Sequence, residues 1–167
     1  MQDPFAILGI AKRFSIDEKE LEEKYFLLQQ QYHPDRFAGK PGVERTMSLN
    51  KSMEITNAYQ ALRSPLQRAQ YLLAEQKIFV NGENDNIKPT EELLMEVMEI
   101  REQLSDVKDK IEMKALDDLT EAKRKKSTEN LEKNFIAENF QAAAQDAIRL
   151  KYFSKIAAEI RLKAKIL

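Results

Sequence analysis

From Thr90 to Leu167 the chain contains neither glycine nor proline. Almost half of the sequence therefore lacks the two residues that most often interrupt a helix. In all there are four glycines and five prolines among 167 residues, and they gather in a few places. That distribution predicts helices joined by short breaks. The long uninterrupted stretch carries no sustained heptad, which argues against a coiled coil. Two or three antiparallel helices are expected instead. Charge agrees with that expectation. Residues 80–121 hold 13 acidic and 5 basic side chains, whereas 122–167 hold 5 acidic and 11 basic, so folding one half on the other is favoured.

The first half of the chain is punctuated more clearly. Pro4 to Ile10 reads as a short apolar helical turn. Asp17 is placed to cap the next helix, with Glu20 three residues on and Ile16 and Leu21 flanking the cap as a hydrophobic staple. Leu21, Tyr25, Leu28 and Tyr32 then share one face. Pro34 ends the helix, because the residue before a proline is pushed out of the α region. A further helix is expected from about Val43 to Leu62, with Ile55, Ala58, Tyr59 and Leu62 inward. Ser64-Pro65 restarts the chain as cap and first turn. The polar run Asn81–Asn86 marks the domain boundary, with 76–88 as a linker region, and Thr90 caps the first helix beyond it. Tyr25, Tyr32 and Tyr59 are expected in the core of the helical pair.

Composition removes several classes of function. The chain has no cysteine and one histidine. Thiolate zinc sites, disulfides, a cysteine nucleophile and ligation of a cluster by thiolates are excluded. No metal, cofactor-binding or catalytic residue is expected. The net charge is −1, so nothing global points to nucleic acid or an anionic membrane, and neither is expected as a partner. The run Ala122-Lys-Arg-Lys-Lys-Ser127 reads as a solvated helix face with no interleaved aromatic residue. No apolar run is long enough to span a bilayer, and a cytoplasmic location is expected.

Two constellations remain. The single histidine stands in Tyr32-His33-Pro34-Asp35-Arg36-Phe37. As a bare sequence this is a helix stop followed by a turn. An acid–base reading, with Asp35 orienting His33, lacks a second histidine, a nucleophile and a phosphate loop. The second constellation is residues 90–104. Leu93, Val97, Ile100 and Leu104 form a narrow stripe sufficient to face a core, and Leu94, Met95 and Met98 fall away from it. These are either a second buried face or an exposed apolar patch rimmed by carboxylates.

The context of the histidine resembles a J domain. Tyr25, the 32–37 motif, the Ala58-Tyr59-Leu62 pattern and the Ser64-Pro65 break all match over residues 1–75. With Leu62–Leu73 and Leu93–Leu104 added, the whole chain resembles the HscB family, J-domain co-chaperones of bacterial iron–sulfur cluster assembly. The resemblance implies an all-α protein with an N-terminal J domain, an antiparallel helical hairpin with an HPD loop, and a three-helix bundle over 89–167. It implies a co-chaperone and not an enzyme. His33, Pro34 and Asp35, with Arg36 and Lys24 beside them, would contact an HscA/DnaK-type ATP-dependent chaperone and promote its ATP hydrolysis. Leu94, Met95, Met98, Glu99, Arg101, Glu102 and Tyr152 match positions that hold an IscU-type scaffold protein. One feature departs from the family. J domains carry a basic face before the tripeptide, whereas here Gln29, Gln30 and Gln31 fill that stretch. A general J-protein for unfolded clients and a purely structural adaptor are the alternatives.

Overall fold

Asp17 and Pro34 bound the first long helix, and both act through local chemistry. The Asp17 carboxylate accepts the backbone N–H groups of Lys19 at 2.9 Å and Glu20 at 3.3 Å, which satisfies donors that a helix start leaves open. At the other end Pro34 forces His33 to φ −60° and ψ 134°, outside the helical region. The computed structural model describes residues 2–167, and every regular element among them is helical. The α-helices are α1 (Pro4–Leu8), α2 (Glu18–Tyr32), α3 (Gly42–Arg63), α4 (Pro65–Glu75), α5 (Glu91–Asp106), α6 (Lys110–Ile136) and α7 (Phe140–Ala164). A 3₁₀ turn, Pro34–Phe37, follows α2.

The described residues divide into two compact units, the first ending at Arg68 and the second Ala69–Leu167. The division falls inside α4. In the first unit α2 and α3 form an antiparallel hairpin. The rings of Tyr25 and Tyr59 stack with centroids 4.1 Å apart, Gln29 bonds Ser52 and Thr56, and Ser48 bonds the carbonyl of Tyr32. The helix α1 packs across α3. Phe5, Leu8, Phe14, Leu21, Ile55, Ala58 and Leu62 are buried in this unit. The three tyrosines expected in the core are only half-buried, with Tyr25 and Tyr59 stacking across the seam between α2 and α3. Gly9 closes α1 at φ 65°, a conformation that a Cβ would oppose.

The second unit contains the bundle, of three helices. Asn134 bonds Asp146 and Arg124 bonds Ser154, so α6 and α7 run antiparallel. Glu96 pairs with Arg149 and Arg101 with Glu159, so α5 runs parallel to α7. The buried side chains include Leu93, Val97, Ile100, Leu104, Met113, Leu116, Leu131, Phe153, Ile156 and Ile160. Before α5, residues 76–88 belong to this unit. Ile78 and Val80 are buried, and Asn86 ties the loop by accepting the Phe79 N–H at 2.8 Å and donating to the Lys77 carbonyl at 2.7 Å. No helix among the described residues is long and apolar enough to cross a membrane.

Candidate functional site

The tripeptide at the end of α2 is held by its backbone and open at its side chains. The Nδ1 atom of His33 accepts the N–H of Asp35 at 3.3 Å, while Asp35 Oδ2 lies 3.6 Å from the same nitrogen. With Nδ1 accepting, the neutral imidazole carries its proton on Nε2. The side chains of His33 and Asp35 are 53% and 92% exposed, so the pair stands on an open surface. A carboxylate so displayed suits capture of an arginine fork.

Three contacts fix the loop from behind. Ser48, buried in α3, donates its hydroxyl to the Tyr32 carbonyl at 2.8 Å. Arg36 Nη1 donates to the Gln30 carbonyl at 2.9 Å, and the Arg36 N–H donates to the His33 carbonyl at 3.0 Å. Each satisfies a carbonyl that the end of α2 leaves open. Arg36 therefore braces the loop that it was expected to join as a contact. Lys24 is placed otherwise. Its Nζ donates to the Gly9 carbonyl at 2.8 Å, fastening α2 to the end of α1, about 2.5 turns before His33.

On α5 the two sides of the helix separate cleanly. Leu93, Val97, Ile100 and Leu104 are buried, whereas Leu94 is 39% exposed and Met95 and Met98 are each 63% exposed. Of the two readings that the sequence left open, the exposed patch is the one realised. Glu99, Arg101 and Glu102 are exposed on the same helix, and Tyr152 of α7 is half-buried. Tyr152 lies between Arg149 and Glu159, which pair with Glu96 and Arg101 of the parallel α5, so it is level with the stretch of α5 that carries Leu94 to Met98. Arg101 is held in a two-pronged pair, with Nε 3.2 Å and Nη2 2.9 Å from the Glu159 carboxylate.

The other flank of α5 carries an ionic cluster. Glu96 accepts from Lys123 of α6 and, at 2.9 Å, from Arg149 of α7. Burial pulls the Glu96 carboxyl upward, but its bonds to Lys123 and Arg149 and their charges outweigh this and hold it below its usual range. The two cations also lie over the Phe153 ring, 5.7 Å and 5.3 Å from its centroid. Lys163 donates to the carbonyls of Leu104 and Ser105, where a cation complements the end of α5. The basic run 122–127 is thus not one solvated face. Lys123 turns inward, Arg124 pairs with Glu121 at 2.6 Å, and Lys125 and Lys126 remain exposed.

Sequence reasoning passed over Gln29, Ser48 and Lys123. A signal existed for Ser48. Ser48, Ser52 and Thr56 recur every fourth residue on the inner side of α3, a polar stripe that asks for partners on the facing helix.

Comparison with known proteins bears on both halves of the chain. Residues 3–71 match the DnaJ domain family. Residues 89–161 match the family described as HSCB C-terminal oligomerisation domain. The chain is 33% identical to the co-chaperone protein HscB of Proteus mirabilis, over 95% of this chain and 93% of that protein. It is 31% identical to the human iron-sulfur cluster co-chaperone protein HscB, over 97% of this chain and 68% of that protein. The solved structure of chaperone HscB from Vibrio cholerae superposes with a TM-score of 0.86 at 30% identity, covering 99% of this chain and 100% of that one.

Proposed function

The chain belongs to the HscB family of J-domain co-chaperones, and from that premise we propose a separate partner for each of its two exposed surfaces. It is a co-chaperone of iron–sulfur cluster assembly. The His33-Pro34-Asp35 loop engages an HscA/DnaK-type chaperone and promotes its ATP hydrolysis. The face of α5 around Leu94, Met95 and Met98, with Tyr152 beside it, holds an IscU-type scaffold protein. The same reading places the protein in the cytoplasm and gives it no catalytic residue of its own.

The observation that carries this reading is the construction of the loop. Its backbone is braced from α3 and α2, by Ser48 and Arg36, while the imidazole and carboxylate face solvent. A turn needed only to reverse the chain requires no such brace. The displayed pair meets a partner in one prearranged geometry, which lowers the entropy cost of docking. Carrying scaffold and chaperone on one chain raises the effective concentration of one near the other. With no cysteine, the chain supplies no thiolate to a cluster, so it positions the scaffold.

The test is the steady-state ATPase of a DnaK-type chaperone titrated with wild-type protein, His33→Gln and Asp35→Asn. Both exposed variants are expected to fold normally and to lose stimulation. Stimulation equal to wild type in both variants overturns the reading.

A further inference from the structure

A tripeptide is too small to form a stable contact alone, since specific interfaces bury about 800 Å² on each partner. The contact must spread onto the helices that flank the loop. Charge there is sparse and mixed in sign, with Glu44 and Arg45 exposed side by side at the start of α3. The last turn of α2 has no basic residue, Lys24 is held by the Gly9 carbonyl, and Gln29 is bonded into α3.

The apolar side chains are placed differently. Phe26 is 59% exposed, Leu49 48% and Met53 56%. Phe26 precedes His33 by seven residues, two turns and about 10 Å along the same side of α2. Each of the three also follows, by one residue, a side chain that joins the two helices: Tyr25, Ser48 and Ser52. In a facing antiparallel pair, residues so placed project to one common side. The helix α1 covers the other side, where Pro4 and Ile7 line a cleft with Ala58 and Ala61. Phe26 is itself set by Tyr25, whose ring lies 5.5 Å away, and Tyr25 stacks on Tyr59. A prearranged aromatic ring loses little freedom on burial, and methionine adapts to the surface it meets.

We propose that Phe26, Leu49 and Met53 are the apolar part of the chaperone-docking surface, continuous with the loop, so that this chain docks by burying apolar area more than by charge. The proposal rests on the reading of the loop given above. It specifies a DnaK-type chaperone whose receiving surface is apolar beside its site for the loop. A consequence is affinity that changes little with salt, whereas a contact held by exposed charge weakens steeply as ionic strength rises.

The experiment is a titration of the chaperone's ATPase with the full chain, at about 0.05 M and about 0.5 M salt. Four proteins are compared: wild type, Phe26→Gln/Met53→Gln, Asp35→Asn, and Leu27→Gln, an exposed change about 100° round α2 from Phe26 and turned away from α3. Circular dichroism checks that all are folded. The wild-type half-saturating concentration is expected to shift less than about threefold with salt. The double variant is expected to raise it about tenfold or more, and Leu27→Gln to match wild type. Loss of stimulation in Asp35→Asn, with the double variant indistinguishable from wild type or with steep salt dependence in wild type, overturns the apolar surface alone. Full stimulation by Asp35→Asn overturns the loop reading and this proposal with it.

Discussion

The hydroxyl of Ser48 donates to the carbonyl of Tyr32 across 2.8 Å, and through this bond α3 fixes the place where α2 stops. The bond joins residues sixteen apart in sequence, one buried in a helix and one at the rim of the exposed loop. Removing it leaves a helix-end carbonyl without its partner. Ser48→Ala is expected to destabilise the first unit by about 1–2 kcal/mol and to weaken chaperone stimulation more than the small stability loss alone implies. Urea unfolding, set beside the ATPase titration, checks both.

Glu96 ties all three helices of the bundle. Its folded-state carboxyl lies below the ordinary value of 4.5, so its contribution is present above that value and is lost as pH falls through the depressed one. Glu96→Gln is expected to cost about 2 kcal/mol near neutral pH, where charged hydrogen bonds are lost. At about pH 3 the gap between variant and wild type is expected to narrow. Thermal unfolding across that range is the check.

Asp146 has the opposite sign. Burial raises its carboxyl above the ordinary 3.8, against hydrogen bonds from Asn134 and Asn130 and the charge of Arg149. A raised carboxyl favours the folded state at low pH and costs stability as pH climbs through the shifted value. Asp146→Asn is therefore expected to raise the melting temperature at about pH 7 and to lose that advantage at about pH 3. A lower melting temperature at neutral pH would show that the Asn134 bond, 2.6 Å in length, outweighs the burial.

The exposed α5 patch separates binding from folding. Leu94→Ala/Met98→Lys is expected to weaken binding of an IscU-type scaffold about tenfold or more. Its stability should stay within about 1 kcal/mol of wild type, because both side chains project away from the buried stripe. Calorimetric titration and thermal unfolding measure the two effects independently.

What the sequence made legible was whatever is decided within a few residues. The Asp17 and Thr90 caps, the stop at Pro34, the Ser64-Pro65 restart and the Leu93–Leu104 stripe all depend on local spacing, and all are found in the fold. The three glutamines before the tripeptide show where such reading fails. As a string they are neutral filler, yet Gln29 bolts α2 to α3 through Ser52 and Thr56. The same holds for Lys123, which helix periodicity leaves in a run of four cations and the fold turns onto Glu96. Lys24 likewise reads as a free cation until α1 returns to meet it. In each case the partner is far away in sequence, and only tertiary packing names it. The α5 face was half legible. Its periodicity separates the two groups of apolar residues, but only packing decides which group meets solvent.

The most direct test measures steady-state ATPase of an HscA/DnaK-type chaperone with limiting co-chaperone, with and without an IscU-type scaffold. The wild-type protein should stimulate alone, and further when the scaffold is added. Leu94→Ala/Met98→Lys should keep the first effect and lose the second, and Asp35→Asn should lose both. Stimulation that survives Asp35→Asn, or a scaffold effect that survives the α5 double variant, would contradict a protein that joins two partners through two separate surfaces.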